Sequence, residues 1–358
     1  MKSFEIAKLP FQDIEALETR AVLKKLSSAN RYLAELKGVV SSIPNEAILI
    51  NTLVLQEAKN SSEIENIVTT HDELFKAELS LMNQSLATKE VQNYNQALKS
   101  SFSIVRKNKI IRLSDILTIQ EELEKNIAGF RKLPGATLKN GRGEIVYTPP
   151  QHPNVVVDLM DNLVTFMNDD EVCELDPLVK MAIIHHQFES IHPFYDGNGR
   201  TGRILNILYL VTQGLLDLPV LYLSNYLIQH KADYYHYLQH VRDTGEWEGW
   251  LLFMLDSVEK TSISTIELIK EMKKLMQLYK HTIREKKPKI YRQELLNNLF
   301  NHPYTKIEFV QNDLDVTRKT AAKYLEELTE IGLLQKEKVG RTSYYINTAL
   351  YQLFLNRE

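Results

Sequence analysis

Apolar residues recur along this chain mostly with the period of a helix. Ile14, Leu17 and Ala21 through Leu36 keep one apolar face, and Gly38 followed by Pro44 predicts where that helix closes. Glu46 to Leu55 and Glu73 to Leu86 show the same pattern. Further helices are expected over Val155 to Met167 and over Asp176 to Ile191, the second opened by an Asp176 cap and by Pro177 in its first turn. A core helix through the very apolar stretch from Ile204, a helix capped by Ser224 and a long helix from Trp247 to His281 complete the body. No internal repeat and no low-complexity tract interrupts it.

Two regions depart from helical spacing. Between Gly129 and Pro150, Gly135, Gly141 and Gly143 punctuate Ala-Thr-Leu and Glu-Ile-Val-Tyr, which predicts a β-hairpin over 135–148 with its turn at Asn140-Gly141. A lone hairpin is marginal in water, so this one should lean on the helical body as a flap. The polar stretch from Arg284 to Lys289 contains Pro288 and marks a boundary. Beyond it Gln293 to Leu299, Lys306 to Asn312 and Val316 to Ile331 read as three short helices. Leu333 to Val339 and Thr342 to Ile346 then form a two-stranded wing turning at Gly340-Arg341. This order resembles a winged helix-turn-helix. The expected class is mainly α, in three units: 1–110, 111–283 and 284–358.

Lys and Arg number 43 against 46 Asp and Glu, so no global field draws the chain to nucleic acid or lipid, and any such binding must be local. The one cysteine, Cys173, has no internal disulfide partner, which fits a reducing compartment. No segment from Met1 to Pro10 reads as a signal peptide. Asn206, Gln213, Asp217 and Pro219 break the most apolar run, so a cytoplasmic protein without a membrane span is expected.

The densest chemistry lies in His192-Pro193-Phe194-Tyr195-Asp196-Gly197-Asn198-Gly199-Arg200-Thr201-Gly202-Arg203. His192, at the end of a predicted helix, is the residue type that takes a proton near neutral pH. Asp196 is placed to hold Mg²⁺ with one carboxylate plus phosphate oxygens. Gly197, Asn198 and Gly199 let the backbone approach an anion closely, and the next helix offers free N–H groups. Arg200 and Arg203 share a face at the positive end of that helix, an arrangement that makes sense when anions sit between them.

In order, these residues fit H-x-F-x-[DE]-G-N-G-R-x-x-R and resemble the signature of Fic-domain proteins. The resemblance implies a Fic-type helical bundle that transfers AMP from ATP to a Ser, Thr or Tyr hydroxyl of a target protein, or of itself. By resemblance His192 is the base, Arg200 and Arg203 grip the β- and γ-phosphates, and Phe194 anchors the loop. Tyr234, Tyr235 and Trp250 correspond to aromatics that line the nucleotide pocket. Thr137 and Leu138 correspond to the flap edge that pairs with the target by strand addition. Relatives that transfer UMP or phosphate also exist, but Asp196 and Arg203 favour AMP.

Ser61-Ser62-Glu63-Ile64-Glu65-Asn66 fits [ST]-x-x-x-E-[GN], the inhibitory-helix pattern of autoinhibited relatives. The resemblance makes 60–67 a brake in which Glu65 forms a bidentate pair with Arg203. In some relatives this glutamate also serves removal of AMP. In the C-terminal unit Arg318, Lys319, Lys323, Lys338 and Arg341 would meet DNA phosphates, but Glu326, Glu327 and Glu330 on the same helix weigh towards protein docking. A homodimer stays open because no residue pattern fixes an interface. Two rival readings remain. A ligand-sensing winged-helix transcription regulator leaves the His192 to Arg203 stretch unexplained. A metal-dependent phosphohydrolase would draw on His185, His186, His192, Asp196 and His71-Asp72.

Overall fold

The computed structural model describes residues 6–79, 84–169, 171, 173–339 and 342–356. Five helices come first: α1 (Arg20–Val40), α2 (Glu46–Ile64), α3 (His71–Glu78), α4 (Leu86–Asn108) and α5 (Leu113–Glu124). The hairpin β1 (Leu138–Lys139) and β2 (Ile145–Tyr147) follows. Next come α6 (Pro153–Asn168), α7 (Pro177–Ile191), α8 (Asn198–Thr212), α9 (Ser224–Gln229), α10 (Lys231–Thr244) and α11 (Glu248–Lys286). The C-terminal part holds α12 (Gln293–Asn301), β3 (Tyr304–Thr305), α13 (Ile307–Leu314), α14 (Arg318–Glu330), β4 (Gln335–Val339), β5 (Thr342–Ile346) and α15 (Thr348–Leu355).

Helix boundaries follow local chemistry where caps exist. Asp176 accepts the Leu178 N–H to open α7, with Pro177 just inside it. Thr70 and Glu73 form a reciprocal capping box on α3. Other expectations change. The predicted Ile14–Leu36 helix is a single 3₁₀ turn at Ile14–Leu17, then α1, because the Thr19 side chain caps a new start by accepting the Val22 N–H. Helix α1 also runs through Gly38. Glu73 to Leu86 is two helices, since Ser85 caps α4 by accepting the Thr88 N–H; residues 80–83 between them lie outside the described ones. Ser224 does not cap α9: its hydroxyl is taken by the buried Glu57 carboxylate.

The hairpin is antiparallel, with Leu138 opposite Tyr147, and its turn is held by the Asn140 side chain, which accepts the N–H groups of Arg142 and Glu144. The second sheet has the order β3-β5-β4. Strand β3 and helix α15 were not expected. The three expected short helices and the β4-β5 hairpin are present, but its Gly340-Arg341 turn lies outside the described residues.

Helix α1 packs along the first part of α11, and α2 lies between α4, α8, α9 and α12. Helix α2 is buried on nearly all sides, Gln56, Glu57, Lys59, Asn60, Ser61 and Ser62 included. One continuous apolar cluster runs from Ile6 to Phe354. Among the described residues no helix is long and apolar enough to cross a membrane.

Candidate active site at the α7–α8 loop

Helix α7 ends on His192, whose backbone is left-handed at φ 48° and whose N–H closes on the Phe188 carbonyl. A non-glycine residue in this region is uncommon and needs surrounding support. Burial pushes the His192 imidazole down to about pKa 4, and the nearby Arg242 and Arg131 cations press in the same direction. The ring is therefore neutral at pH 7 and able to accept a proton.

The loop closes on itself through Asn198. Its Oδ1 accepts the Phe194 N–H and its Nδ2 donates to the Phe194 carbonyl, both at 2.9 Å. The Asn198 side chain is thus consumed in bracing the loop, which leaves the backbone of Gly197 to Gly199 as the part expected to approach phosphate. Phe194 is buried against Phe130 and Phe188, in the expected anchoring position. Gly197 opens α8 at φ 77°, so any side chain there is strained by the backbone, and its Cβ would stand 2.5 Å from Glu124 Oε1, displacing that carboxylate. Asp196 is exposed; its Oδ1 accepts the Gly197 N–H at 2.7 Å.

Arg200 and Arg203 turn to different partners. Arg200, 3% exposed, donates to Glu90 at 3.0 Å and to Glu124 at 2.7 Å, carboxylates of α4 and α5. Its guanidinium is already neutralised by two anions, which departs from the phosphate grip expected of it. Arg203, 2% exposed, faces the end of α2. Its Nε donates to Ser61 Oγ at 2.7 Å, and its Nη2 donates to both the Ser61 carbonyl and Glu65 Oε1 at 2.9 Å. Nη1 of Arg203 is buried with no hydrogen-bond partner and lies 2.9 Å from the position a Gly199 Cβ would take. Glu65 thus binds through one oxygen on Nη2, not as the expected bidentate pair: Ser61 takes Nε and shares Nη2, and Nη1 is left without a partner.

Around Arg203 lie acidic and aromatic groups that sequence reasoning missed. Burial raises Glu57 to about pKa 7, although Ser224 and Tyr94 donate to it. Burial likewise raises Glu189 to about 7, with Arg203 pulling the other way. Arg131 and Arg242, which reach the last turn of α7, were also missed: single arginines outside any motif carry no spacing signal.

The expected aromatic nucleotide pocket does not form as such. Trp250 is fully buried, with its indole N–H donated to the Ala182 carbonyl at 2.9 Å, and Tyr234 is 1% exposed against His185. Core packing closes both to a ligand. Tyr235 is 45% exposed. His185, His186 and His71 are likewise buried and bonded to Tyr234, the Leu238 carbonyl and Gln56. Among the described residues no three His, Cys, Asp or Glu side chains gather as a metal site, so the phosphohydrolase alternative loses its residues. Thr137 and Leu138 are half-buried on the hairpin.

Three family models match in succession. The Fic/DOC family N-terminal model covers residues 23–103, and the Fic/DOC family model covers 110–210. The C-terminal domain model described as protein adenylyltransferase SoFic-like covers 275–350. Protein adenylyltransferase Fic of Aedes aegypti is 29% identical over 174 residues, 48% of this chain and 33% of its own length. Protein adenylyltransferase fic-1 of Caenorhabditis elegans is 34% identical over 107 residues, 29% of this chain and 19% of its own. The chain therefore spans a third or less of these relatives. A Fic family protein from Desulfovibrio desulfuricans G20 has the same fold at TM-score 0.58 and 19% identity, over 92% of this chain and 96% of that one. A fragment of C. elegans Fic-1 follows at TM-score 0.56 and 21% identity, over 72% of this chain and 76% of that one. With its loop motif, its helical fold and three consecutive matching models, the chain belongs to the Fic/DOC family.

Proposed function

We propose that this chain is a protein adenylyltransferase that moves AMP from ATP to a Ser, Thr or Tyr hydroxyl of a target protein or of itself, and that Glu65 restrains it. The observation that carries this reading is Arg203. A buried guanidinium with one orphan donor beside Gly199, at the start of α8, is a site built for an anion. The neutral His192 stands one loop away.

In this reading the α8 N-terminal N–H groups, the Gly197 to Gly199 backbone and Arg203 receive the phosphates. His192 takes the proton of the incoming hydroxyl, whose oxygen bonds to the α-phosphorus as the bond to the β-phosphate oxygen breaks and pyrophosphate leaves. Asp196 is the carboxylate that would hold Mg²⁺, with phosphate oxygens and water as the remaining ligands. When bound, such an ion would neutralise charge on the phosphates. Arg200 acts at one remove, locking α8 to α4 and α5. The edge of β1 at Thr137 and Leu138 is the target-docking strand. The units 1–110, 111–283 and 284–358 would correspond to brake, catalyst and a docking domain with winged-helix element order.

The brake follows from the Arg203 contacts. A charge-assisted hydrogen bond contributes about 1.5 to 3 kcal/mol, so releasing Glu65 should raise productive ATP binding roughly tenfold to a hundredfold. The test is transfer of α-labelled AMP from ATP, with Mg²⁺, to lysate proteins and to the chain itself, in parent, Glu65→Gly and Glu65→Gly/His192→Ala. Labelling that rises in the first variant and vanishes in the second supports the reading; no labelling in any sample overturns it.

A further inference from the structure

The last carbonyls of a helix have no partner within the helix and must find donors elsewhere. At the end of α7 those donors come from the flap and its approach. Tyr147, the last residue of β2, donates its hydroxyl to the Ser190 carbonyl at 2.8 Å. Arg131, on the segment leading from α5 into the hairpin, donates Nε to the His192 carbonyl at 2.8 Å and Nη2 to the Ile191 carbonyl at 3.3 Å. The same Nη2 donates to the carbonyl of Pro150, just beyond the hairpin, and the Arg131 backbone N–H donates to the Pro193 carbonyl at 2.9 Å. Arg242 of α10 completes the knot, stacking 4.2 Å over the Tyr147 ring while its Nε donates to Ser190 Oγ.

Arg131 is 2% exposed, and every bond it makes ends on backbone oxygen. A buried guanidinium without a carboxylate partner is costly, and burial accordingly lowers its pKa. It is not there as half of an ion pair. Its bonds reach the two peptides that flank the left-handed His192 and the exit of the hairpin, the two parts that must be in register if a hydroxyl held on the flap is to meet the imidazole.

We infer that Arg131 is a positioning residue that fixes the His192 peptide and the flap as one rigid unit, with Tyr147 as its second tie. This deepens the proposed function and rests on it for the identity of the reaction. Arg131 touches neither His192's ring nitrogens nor the Arg203 site, so its loss should act on alignment rather than on nucleotide binding.

The experiment compares Arg131→Ala, Arg131→Lys and Tyr147→Phe in the Glu65→Gly background. Removing charge-assisted bonds to buried carbonyls should lower kcat roughly tenfold to a hundredfold in Arg131→Ala, with KM for ATP within about twofold. Arg131→Lys, which keeps the charge but loses the fork, should recover part of it. Tyr147→Phe, which deletes one hydroxyl, should fold normally and lose a smaller factor. A second readout needs no activity: imidazole titration of His192 by NMR. The groups acting on that ring are Arg242 of α10, Arg131, and Glu65 at the end of α2, which acts in the opposite sense. Arg131→Ala should move the titration upward. Unchanged kcat in folded Arg131→Ala and Tyr147→Phe, or a loss confined to KM for ATP, overturns the inference. Inactivity of Glu65→Gly itself would overturn the proposed reaction instead, and an unmoved His192 titration in Arg131→Ala would then overturn the positioning role.

Discussion

Nη2 of Arg203 lies 2.9 Å from Glu65 Oε1 and 2.9 Å from the Ser61 carbonyl, so a single nitrogen on α8 is shared between the side chain and the backbone of the α2 end. The hold on Arg203 is distributed, and Glu65 is not its sole member.

Ser61→Ala should therefore loosen the proposed brake as well. It removes the acceptor of Nε while leaving Glu65 in place. With a neutral acceptor contributing about 1 kcal/mol, AMP transfer should rise roughly threefold to tenfold, less than in Glu65→Gly. Single-turnover labelling of the two variants side by side checks the order; a Ser61→Ala rate equal to the parent's would count against a shared restraint.

Arg200 should matter to stability more than to ATP affinity. Its removal strands Glu90 and the largely buried Glu124, so Arg200→Ala should cost about 3 to 5 kcal/mol in denaturant unfolding. Combining Arg200→Met with Glu124→Gln should recover much of that cost. Little change in unfolding midpoint together with a large loss of nucleotide affinity would restore Arg200 to a phosphate role.

Trp250→Phe tests the nucleotide pocket from the opposite side. The variant loses one buried hydrogen bond and some packing and should be about 2 kcal/mol less stable. ATP affinity by calorimetry should stay the same.

The buried Glu189 predicts a pH signature. Its folded pKa, about 7, lies above the ordinary 4.5 because burial disfavours the charged form. The stability it contributes is complete below about pH 4.5 and is lost as pH rises through 7. Glu189→Gln cannot ionise, so its stability relative to the parent should improve between pH 4.5 and 8, by up to roughly 3 kcal/mol. Chemical denaturation of both proteins at the two pH values decides it; a constant difference would mean that Glu189 ionises freely in the fold.

The layout of the loop was legible because His192 to Arg203 carries its own signals: a helix end, glycines and a new helix start within twelve residues. The hairpin was legible from its glycines. Helix α2 was read by its periodicity only to Leu55, with 60–67 as a separate inhibitory helix by resemblance, whereas Glu46–Ile64 is one helix. A helix surrounded by α4, α8, α9 and α12 has no solvent face, and polar Gln56, Glu57, Lys59 and Asn60 then read as a break when they are buried partners. The separate fates of Arg200 and Arg203 were not legible either. Residues three apart share a face, but which anion each meets depends on α2, α4 and α5, contributed from more than seventy residues away in sequence. Trp250 failed for a related reason: an aromatic on a helix reads the same whether it lines a pocket or fills the core.

Helix α2 spans 19 residues, roughly 28 Å at 1.5 Å per residue. One end holds Ser61 and Glu65 against Arg203. Near the other, Asn51 donates to Asn301 of α12 at 2.6 Å and accepts from Lys99 of α4 at 2.8 Å. The helix is thus a strut with a fixed foot, and the grip on Arg203 is only as firm as that footing. In the proposed function, restraint at Arg203 would then depend in part on α12, a helix of the C-terminal part far from the α7–α8 loop in sequence.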